Sequence, residues 1–258
     1  MTRKIACYGW HRDLPDSRDL LYVPAATTLP SSVDLRNSPF MPLVYDQGQI
    51  GSCTGNATAA ALQFERRKQS LSPDFVPSRL FIYYNARVFS GDVGYDGGAQ
   101  IRDAIKGVVT YGAPAETEWP YETVLVTTRP TDNVYSEGKQ DVAIRYWRIP
   151  QTIQNIKTAL AEGTPVVFGF TVYESFESTA VASTGVVPMP HGSEGVLGGH
   201  AVLAVGYDDS SQRFIVRNSW GPSWGLVGYF TMPYAYLDPV SSLAADFWRI
   251  SRVGISGA

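Results

Sequence analysis

Residues 47–57 read QGQIGSCTGNA and place Cys53, one of only two cysteines, directly after a Gly-Ser pair. The following residues, up to about position 69, are first small and then helix-forming, which predicts a long helix over 53–69. Small residues on its opening turns let another backbone approach closely, so we expect this helix to be buried. Unpaired N–H groups and the helix dipole favour a thiolate at its N-terminus. Cys53 is therefore a candidate nucleophile.

A cysteine nucleophile needs a histidine to accept its proton and return it to the leaving amine. Of the three histidines, His11 lies in an irregular N-terminal stretch and His191 in a Gly/Pro-rich loop, where solvation is the simpler interpretation. His200 begins the apolar run in GGHAVLAVGYDD, which predicts a strand with open access on its glycine side. Asn218, in RNSWGPSWG, ends the next predicted strand and could orient the imidazole, while Trp220 could shield that bond from water.

Acyl transfer also requires hydrogen-bond donors directed at the developing oxyanion. The backbone N–H of Cys53 is one candidate. Gln47 lies six residues upstream, and the glycine-containing loop between them could fold its side-chain amide back toward the thiol. We therefore predict Gln47 as the second donor.

The remaining sequence divides into a helical half and a strand-rich half. Helices are predicted over 78–89, with Ser78 as N-cap, over 100–111, ended by Gly112, and over 153–162. A polar linker spans 127–140. Six short apolar runs then predict strands of an antiparallel sheet or barrel: 165–170, 185–190, 201–207, 213–218, 228–232 and 246–251. This pattern predicts an α+β, two-lobed fold with an active-site cleft between the lobes.

Composition excludes several kinds of function. The 258 residues carry a formal net charge of −3, so no basic stripe indicates nucleic acid and no polybasic patch indicates a membrane surface. Two cysteines and three scattered histidines predict no disulfide framework, no metal site and no cofactor. The N-terminal apolar run is too short for a signal peptide, so as written the chain is expected to stay in the cytoplasm, with export by another route left open.

Four segments resemble the papain and cathepsin family of cysteine peptidases. Residues 33–57 are similar to the start of the mature enzyme, and residues 96–121, DGGAQIRDAIKGVVTYGAPAETEWPY, to its Gly-Gly substrate loop, following helix and Tyr-Pro-Tyr. Residues 198–208 resemble its histidine strand and residues 217–230 its Asn-Ser-Trp-Gly segment. The segments occur in family order, and 147 residues separate Cys53 from His200, within the papain window of roughly 130 to 150.

The resemblance implies a role for each matching position. Cys53 would be the nucleophile, His200 the acid/base group, Asn218 its orienting partner and Gln47 the oxyanion donor. An extended peptide would pair with the backbone of the Gly-Gly loop, and its residue before the scissile bond would hydrogen-bond to the glycine preceding His200. The predicted substrate-binding residues are Gly51, Gly97, Gly98, Gly199 and Trp220.

Two positions depart from the family pattern Cys-Gly-Ser-Cys-Trp. Ile50 replaces its first cysteine, and Thr54 replaces its tryptophan. Losing the cysteine removes a disulfide, which agrees with a reducing compartment. Losing the tryptophan implies a wider or differently packed floor behind Cys53. Neither change removes a group that transfers protons.

The predicted organisation is a pro-like arm over 1–32, a helical lobe over 33–140 and a β lobe over 141–258. The arm is shorter than the helical pro-domain of the family, yet it carries several apolar side chains. We hypothesise that it lies in or beside the cleft and restricts access in cis, as in a zymogen; the alternative is that it only packs on the β lobe.

The expected activity is hydrolysis of peptide bonds in peptide or protein substrates. A silent binding scaffold and an acyl or amide transferase remain as alternatives.

Overall fold

The structure is a computed structural model and describes residues 6–25 and 28–254. Residues 1–5 and 26–27 of the predicted arm, and residues 255–258 of the predicted β lobe, lie outside the described residues.

Seven α-helices form in the described residues. α1 begins at Cys53, as predicted, and 14 consecutive residues from Cys53 to Arg66 are buried, so it is the central helix that its small residues indicated. The Ser78 hydroxyl caps α2 by accepting from the Phe81 N–H, and Gly112 ends α3 at positive φ. The helices are α1 (Cys53–Lys68), α2 (Arg79–Ser90), α3 (Ile101–Tyr111), α4 (Asp132–Gly138), α5 (Ile153–Ala161), α6 (Thr179–Thr184) and α7 (Tyr234–Leu237).

The strands form one large mostly antiparallel sheet and one small parallel pair. They are β1 (Trp10–His11), β2 (Ser32–Asp34), β3 (Ala99–Gln100), β4 (Val142–Arg148), β5 (Val166–Tyr173), β6 (Val196–Asp208), β7 (Arg213–Arg217), β8 (Tyr229–Pro233) and β9 (Ala244–Gly254). The order in the large sheet is β4-β9-β5-β6-β7-β8, with β2 also pairing to β6, and β1 pairs with β3. The end strands β4 and β8 do not pair with each other in the described chain, so the predicted barrel-like lobe is not closed.

Both faces of the sheet are buried. Consecutive residues of β6 alternate between two hydrophobic clusters, with Leu203 facing the helices and Val202 the opposite side, as the two-residue period of a strand requires. The first cluster joins α1, α2 and α3 to the sheet, and α1 packs between α2 and strands β6 and β9. This packing fixes the N-terminus of α1 against the middle of β6, which brings Cys53 to the strand that carries His200.

Two predictions of secondary structure were wrong, and one long strand was missed. Residues 185–190 form only one isolated bridge, between Val186 and Thr231, because two prolines in this run cannot donate to a ladder. The supposed linker over 127–140 contains α4. β4 was not predicted, since the two arginines among its residues interrupt the continuous apolar run that indicated the other strands. It pairs with β9, which is longer than the predicted 246–251.

Two further properties concern the described ranges alone. None of the helices there is long and apolar enough to cross a membrane. No group of three His, Cys, Asp or Glu side chains among these residues could hold a metal ion.

Candidate active site

Cys53 lies at the first position of α1 and is fully buried. Three backbone N–H groups lie within hydrogen-bonding reach of its sulfur, those of Ala201 on β6, Gly9 and Thr54. These donors favour the thiolate, but burial outweighs them and raises the pKa of the thiol to about 11. In this conformation Cys53 is therefore a neutral thiol at physiological pH.

His200 lies on β6, and Asn218 directly follows the adjacent antiparallel strand β7. The imidazole Nε2–H donates to Asn218 Oδ1 over 2.8 Å, and the backbone N–H of Ser219 donates to the same oxygen, also over 2.8 Å. The Trp220 ring covers this pair, with its centroid 5.2 Å from that of His200. Burial lowers the pKa of His200 to about 4, so the imidazole is neutral. Its Nδ1 has no hydrogen-bond partner within the described part of the chain.

Gln47 is fully buried in the loop before α1. Its Nε2 donates to the Ile50 carbonyl over 3.0 Å, and its Oε1 accepts from the Ser219 hydroxyl over 2.6 Å. The Gln47 backbone N–H also donates to the Ser219 carbonyl over 2.8 Å. Ser219 therefore ties the Gln47 loop to the Asn218 strand, so one residue positions two of the predicted groups.

Ser219 and Asp96 were not predicted as site residues. The position of Ser219 directly after Asn218 was the one sequence feature that could have indicated a role in the site. Its hydrogen bond to Gln47 joins residues 172 positions apart in the sequence, so only the folded structure shows this bond. Asp96 accepts the Gly51 N–H over 2.8 Å with one carboxylate oxygen and the Tyr83 hydroxyl over 2.5 Å with the other. It thus links the loop before Cys53 to the glycine loop that Asp96 itself begins.

The N-terminal segment runs through the site. Gly9 lies against the Gly51 backbone so closely that a Cβ on Gly9 would come within 1.7 Å of the Gly51 carbonyl oxygen. On the other side the Gly9 carbonyl accepts the Ala99 N–H over 2.7 Å, and Trp10 continues this contact as part of β1. This segment therefore covers Cys53, which explains its complete burial.

Three of the predicted substrate-binding glycines contact this segment. A Cβ on Gly98 would lie 2.5 Å from the Gly9 carbonyl oxygen, and one on Gly199 would lie 2.3 Å from the Trp10 carbonyl oxygen. Gly51 is in contact with Gly9 as described above. Gly97 differs, because a Cβ there would meet the side chain of nearby Tyr95.

The two aromatic residues flanking Gly9 fill the site on either side. The Trp10 indole is buried over Gly169 of β5, where a Cβ would lie only 1.9 Å from its Cε2. Tyr8 packs edge-on against His200 at 6.0 Å between ring centroids, and its hydroxyl donates to Glu177. The other two histidines, His11 and His191, are exposed, in agreement with their predicted solvation.

Comparisons with known proteins identify the family of this fold. The family model for papain family cysteine proteases matches residues 29–237. The crystal structure of xylellain, a cysteine protease from Xylella fastidiosa, is 43% identical and aligns with a TM-score of 0.88 over 97% of this chain and 98% of its own. An uncharacterized peptidase C1-like protein of Acanthamoeba polyphaga mimivirus is 42% identical over 95% of this chain and 87% of its own. Digestive procathepsin L 3 of Tenebrio molitor, at 23% identity, shares the fold with a TM-score of 0.69 over 88% of this chain and 72% of its own.

The fold and these relatives define the class as that of the papain-like hydrolases. The chain belongs to the papain family of cysteine proteases.

Proposed function

We propose that this peptidase cleaves peptide bonds through a thioester on Cys53, with His200 as its acid/base group. The observation that carries the proposal is the 2.8 Å bond from His200 Nε2 to Asn218 Oδ1. This bond selects the tautomer whose Nδ1 bears a lone pair, and that nitrogen is free to accept the thiol proton.

The reaction follows from these groups. The Cys53 proton passes to His200 Nδ1 as the sulfur attacks the substrate carbonyl carbon. The resulting oxyanion accepts from the Cys53 backbone N–H and from the second amide hydrogen of Gln47 Nε2. His200 then protonates the leaving amine, the C–N bond breaks and a thioester remains. Water attacks the thioester with His200 as base, the C–S bond breaks and the acid product leaves.

The arm, defined as residues 1–32, would restrain this activity in cis, as in a zymogen. Its Gly9 and Trp10 occupy the backbone positions at Gly98 and Gly199 that an extended substrate would need. It also removes water from Cys53 and His200, which keeps both groups neutral and prevents formation of a thiolate–imidazolium pair. Displacement of the arm would therefore open the cleft and activate the nucleophile together.

Alkylation with a peptidyl epoxide tests the nucleophile. We expect Cys53 to be labelled and Cys7 to be spared, with labelling faster in variants whose arm is displaced. Cys53→Ser should abolish both labelling and peptide hydrolysis, with its folding checked by thermal unfolding. Modification of Cys7 at the same rate as Cys53 at pH 5 would contradict the assignment. Product analysis with a free amine present separates hydrolysis from transfer to an acceptor.

A double-mutant cycle tests the arm. Gly169→Ala leaves no room for the Trp10 indole, and Trp10→Ala removes the indole itself, so each should raise kcat/KM by releasing the arm. The double variant should gain little more than either single variant, because both act on one contact. Deletion of residues 1–32 should raise kcat/KM more for long peptides than for short ones. A folded deletion variant with unchanged rates on both would show that the arm does not restrain the enzyme.

A further inference from the structure

The middle of the arm is held to the body by a cluster of buried carboxyl groups. Asp13 lies three residues beyond Trp10, and its side chain is completely buried. One of its carboxylate oxygens accepts the backbone N–H of Arg102 over 3.0 Å, and the other accepts the indole N–H of Trp248 over 2.8 Å. Asp13 is thus a buried polar contact between the arm and the body.

A second carboxyl group, on the body, meets Asp13 from β9. Asp246 Oδ2 accepts the backbone N–H of Asp13 over 2.7 Å, and its Oδ1 accepts from Arg148 over 3.0 Å. Asp246 has a positive φ of 59°, a conformation that aspartate tolerates better than most residues. This local distortion of β9 brings its carboxylate against the arm.

The cluster contains more negative than positive charge. Asp19 of the arm completes it by binding Arg102 over 2.6 Å and Arg148 over 3.0 Å. Three carboxyl groups, those of Asp13, Asp19 and Asp246, therefore share two guanidinium groups. When all three carboxyl groups are ionised, one buried negative charge remains uncompensated, and such a site favours uptake of a proton.

Other charged groups around the cluster do not remove this excess. Asp16 of the arm is paired with the exposed Arg18 over 2.7 Å and lies 3.9 Å from Lys106 of α3. Asp103, also on α3, adds a further buried carboxyl group that interacts with Asp13. The charges of Asp16 and Arg18 offset each other, as do those of Asp103 and Lys106, so the excess negative charge of the cluster remains.

The titration of the cluster follows from burial and from mutual repulsion. Burial raises the pKa of Asp13, and burial together with the Asp13 charge raises the pKa of Asp246 to about 6. Docking of the arm brings these two groups together, so the docked state binds more protons than the released state. Their contribution to docking is complete below the ordinary aspartate pKa and is lost as the pH rises through about 6.

The contribution of Asp19 to docking depends on pH in the opposite direction. Despite partial burial, its bonds to the two arginines lower its pKa, so its contribution to docking is present above the ordinary aspartate value and is lost as the pH falls below it. The two effects together give strongest docking in mildly acidic solution.

We propose that Asp13, Asp19, Asp246, Arg102 and Arg148 form a pH-dependent latch that holds the arm in the cleft more tightly in mildly acidic than in neutral solution. This inference rests on the proposed restraint by the arm and adds its regulation. A rise in pH would release the arm, so the enzyme would open on passing into a neutral environment.

The full-length protein and its Asp246→Asn variant test the latch through the rate at which iodoacetamide alkylates Cys53. Because Cys53 is fully buried under the arm, alkylation reports arm release. The ratio of the wild-type rate to the variant rate cancels the intrinsic pH dependence of the thiol. A docked pKa of about 6 against an ordinary value of about 3.8 predicts that this ratio rises about tenfold between pH 5 and pH 7.5. Alkylation is quantified by peptide mass spectrometry, with intact mass excluding self-cleavage.

Further variants distinguish failure of the latch from failure of the proposed restraint by the arm. Asp16→Asn, which changes an arm carboxylate beside the cluster, should keep the wild-type pH dependence, and Asp13→Asn replaces Asp246→Asn if the latter does not fold. A constant ratio for both Asp246→Asn and Asp13→Asn would overturn the latch. If Trp10→Ala fails to speed alkylation at any pH, the arm does not restrain the site and the proposed function itself is wrong on that point.

Discussion

Ser219 positions two groups of the site although it neither reacts with the substrate nor transfers a proton in the proposed reaction. Its hydroxyl holds Gln47 Oε1, its carbonyl holds the Gln47 backbone, and its N–H holds Asn218 Oδ1. The two backbone bonds survive any substitution other than proline. The hydroxyl bond, together with the bond from Gln47 Nε2 to the Ile50 carbonyl, fixes the rotation of the Gln47 carboxamide and therefore the direction of its N–H groups.

Ser219→Ala should lower kcat about tenfold with little change in KM, because the Gln47 donor is present but less well oriented. Gln47→Ala, which removes the donor, should cost about a hundredfold or more in kcat. Both variants are measured on a short peptide in the Trp10→Ala background, where the arm does not limit access. A Ser219→Ala variant with unchanged kcat and a normal melting temperature would contradict the positioning role.

At the scale of elements, α1 and α3 each place a glycine against α2, and the two glycines differ in how much space surrounds them. Gly55 on α1 faces α2, where an added Cβ would lie 2.6 Å from the Arg79 carbonyl oxygen and 2.9 Å from Tyr83 Cβ. Gly107 on α3 also faces α2, but its nearest neighbour, Asn85 Cβ, would be 3.5 Å away, an ordinary contact. The same substitution should therefore have opposite effects at the two positions.

Gly55→Ala should lower the free energy of unfolding by about 1–3 kcal/mol, because α1 and α2 must separate. Gly107→Ala should raise it by about 0.5–1 kcal/mol, because alanine restricts the unfolded chain and favours the helix. Urea titrations of both variants check the two signs. Equal destabilisation by both would show that the packing of α2 against α3 is tighter than these distances imply.

At the scale of the whole molecule, Glu65 makes stability depend on pH. It is buried on α1, its Oε1 has no hydrogen-bond partner among the residues described, and the nearest cation, Lys68 Nζ, is 3.9 Å away. Burial raises its pKa from an ordinary value near 4.5 to about 7. Its contribution to stability is complete below the unfolded pKa and is lost as the pH rises through about 7.

Glu65→Gln should therefore be more stable than the wild type at pH 8, by up to about 3 kcal/mol, and this advantage should shrink toward pH 5. Melting temperatures of the two proteins across this range test it. Glu137→Gln, which removes an exposed carboxylate, serves as the control for the same change in net charge. A constant difference for Glu65→Gln would mean that its carboxyl group stays ionised throughout.

The sequence by itself determined the family, the order of the chemical groups and most helices, because these depend on local signals. A cysteine at a helix start, an N-cap serine and a glycine at a helix end act within a few residues of themselves. The pairing of His200 with Asn218 could also be predicted, since it needs only two neighbouring strands. The predicted lobe boundaries and compartment stay predictions.

Only the tertiary structure decided what covers Cys53 and in which protonation state it rests. The apolar side chains of the arm favoured a place in or beside the cleft, but no local feature at 8–10 specifies contact with Gly51, Gly98 and Gly199, because those three backbones meet only in the folded chain. Burial is likewise a property of the assembled molecule, so the helix dipole alone indicated a thiolate while the covered site holds a thiol. Desolvation beneath the arm is stronger than the local donors at the helix N-terminus, which is why local reasoning identified the nucleophile but not its resting state.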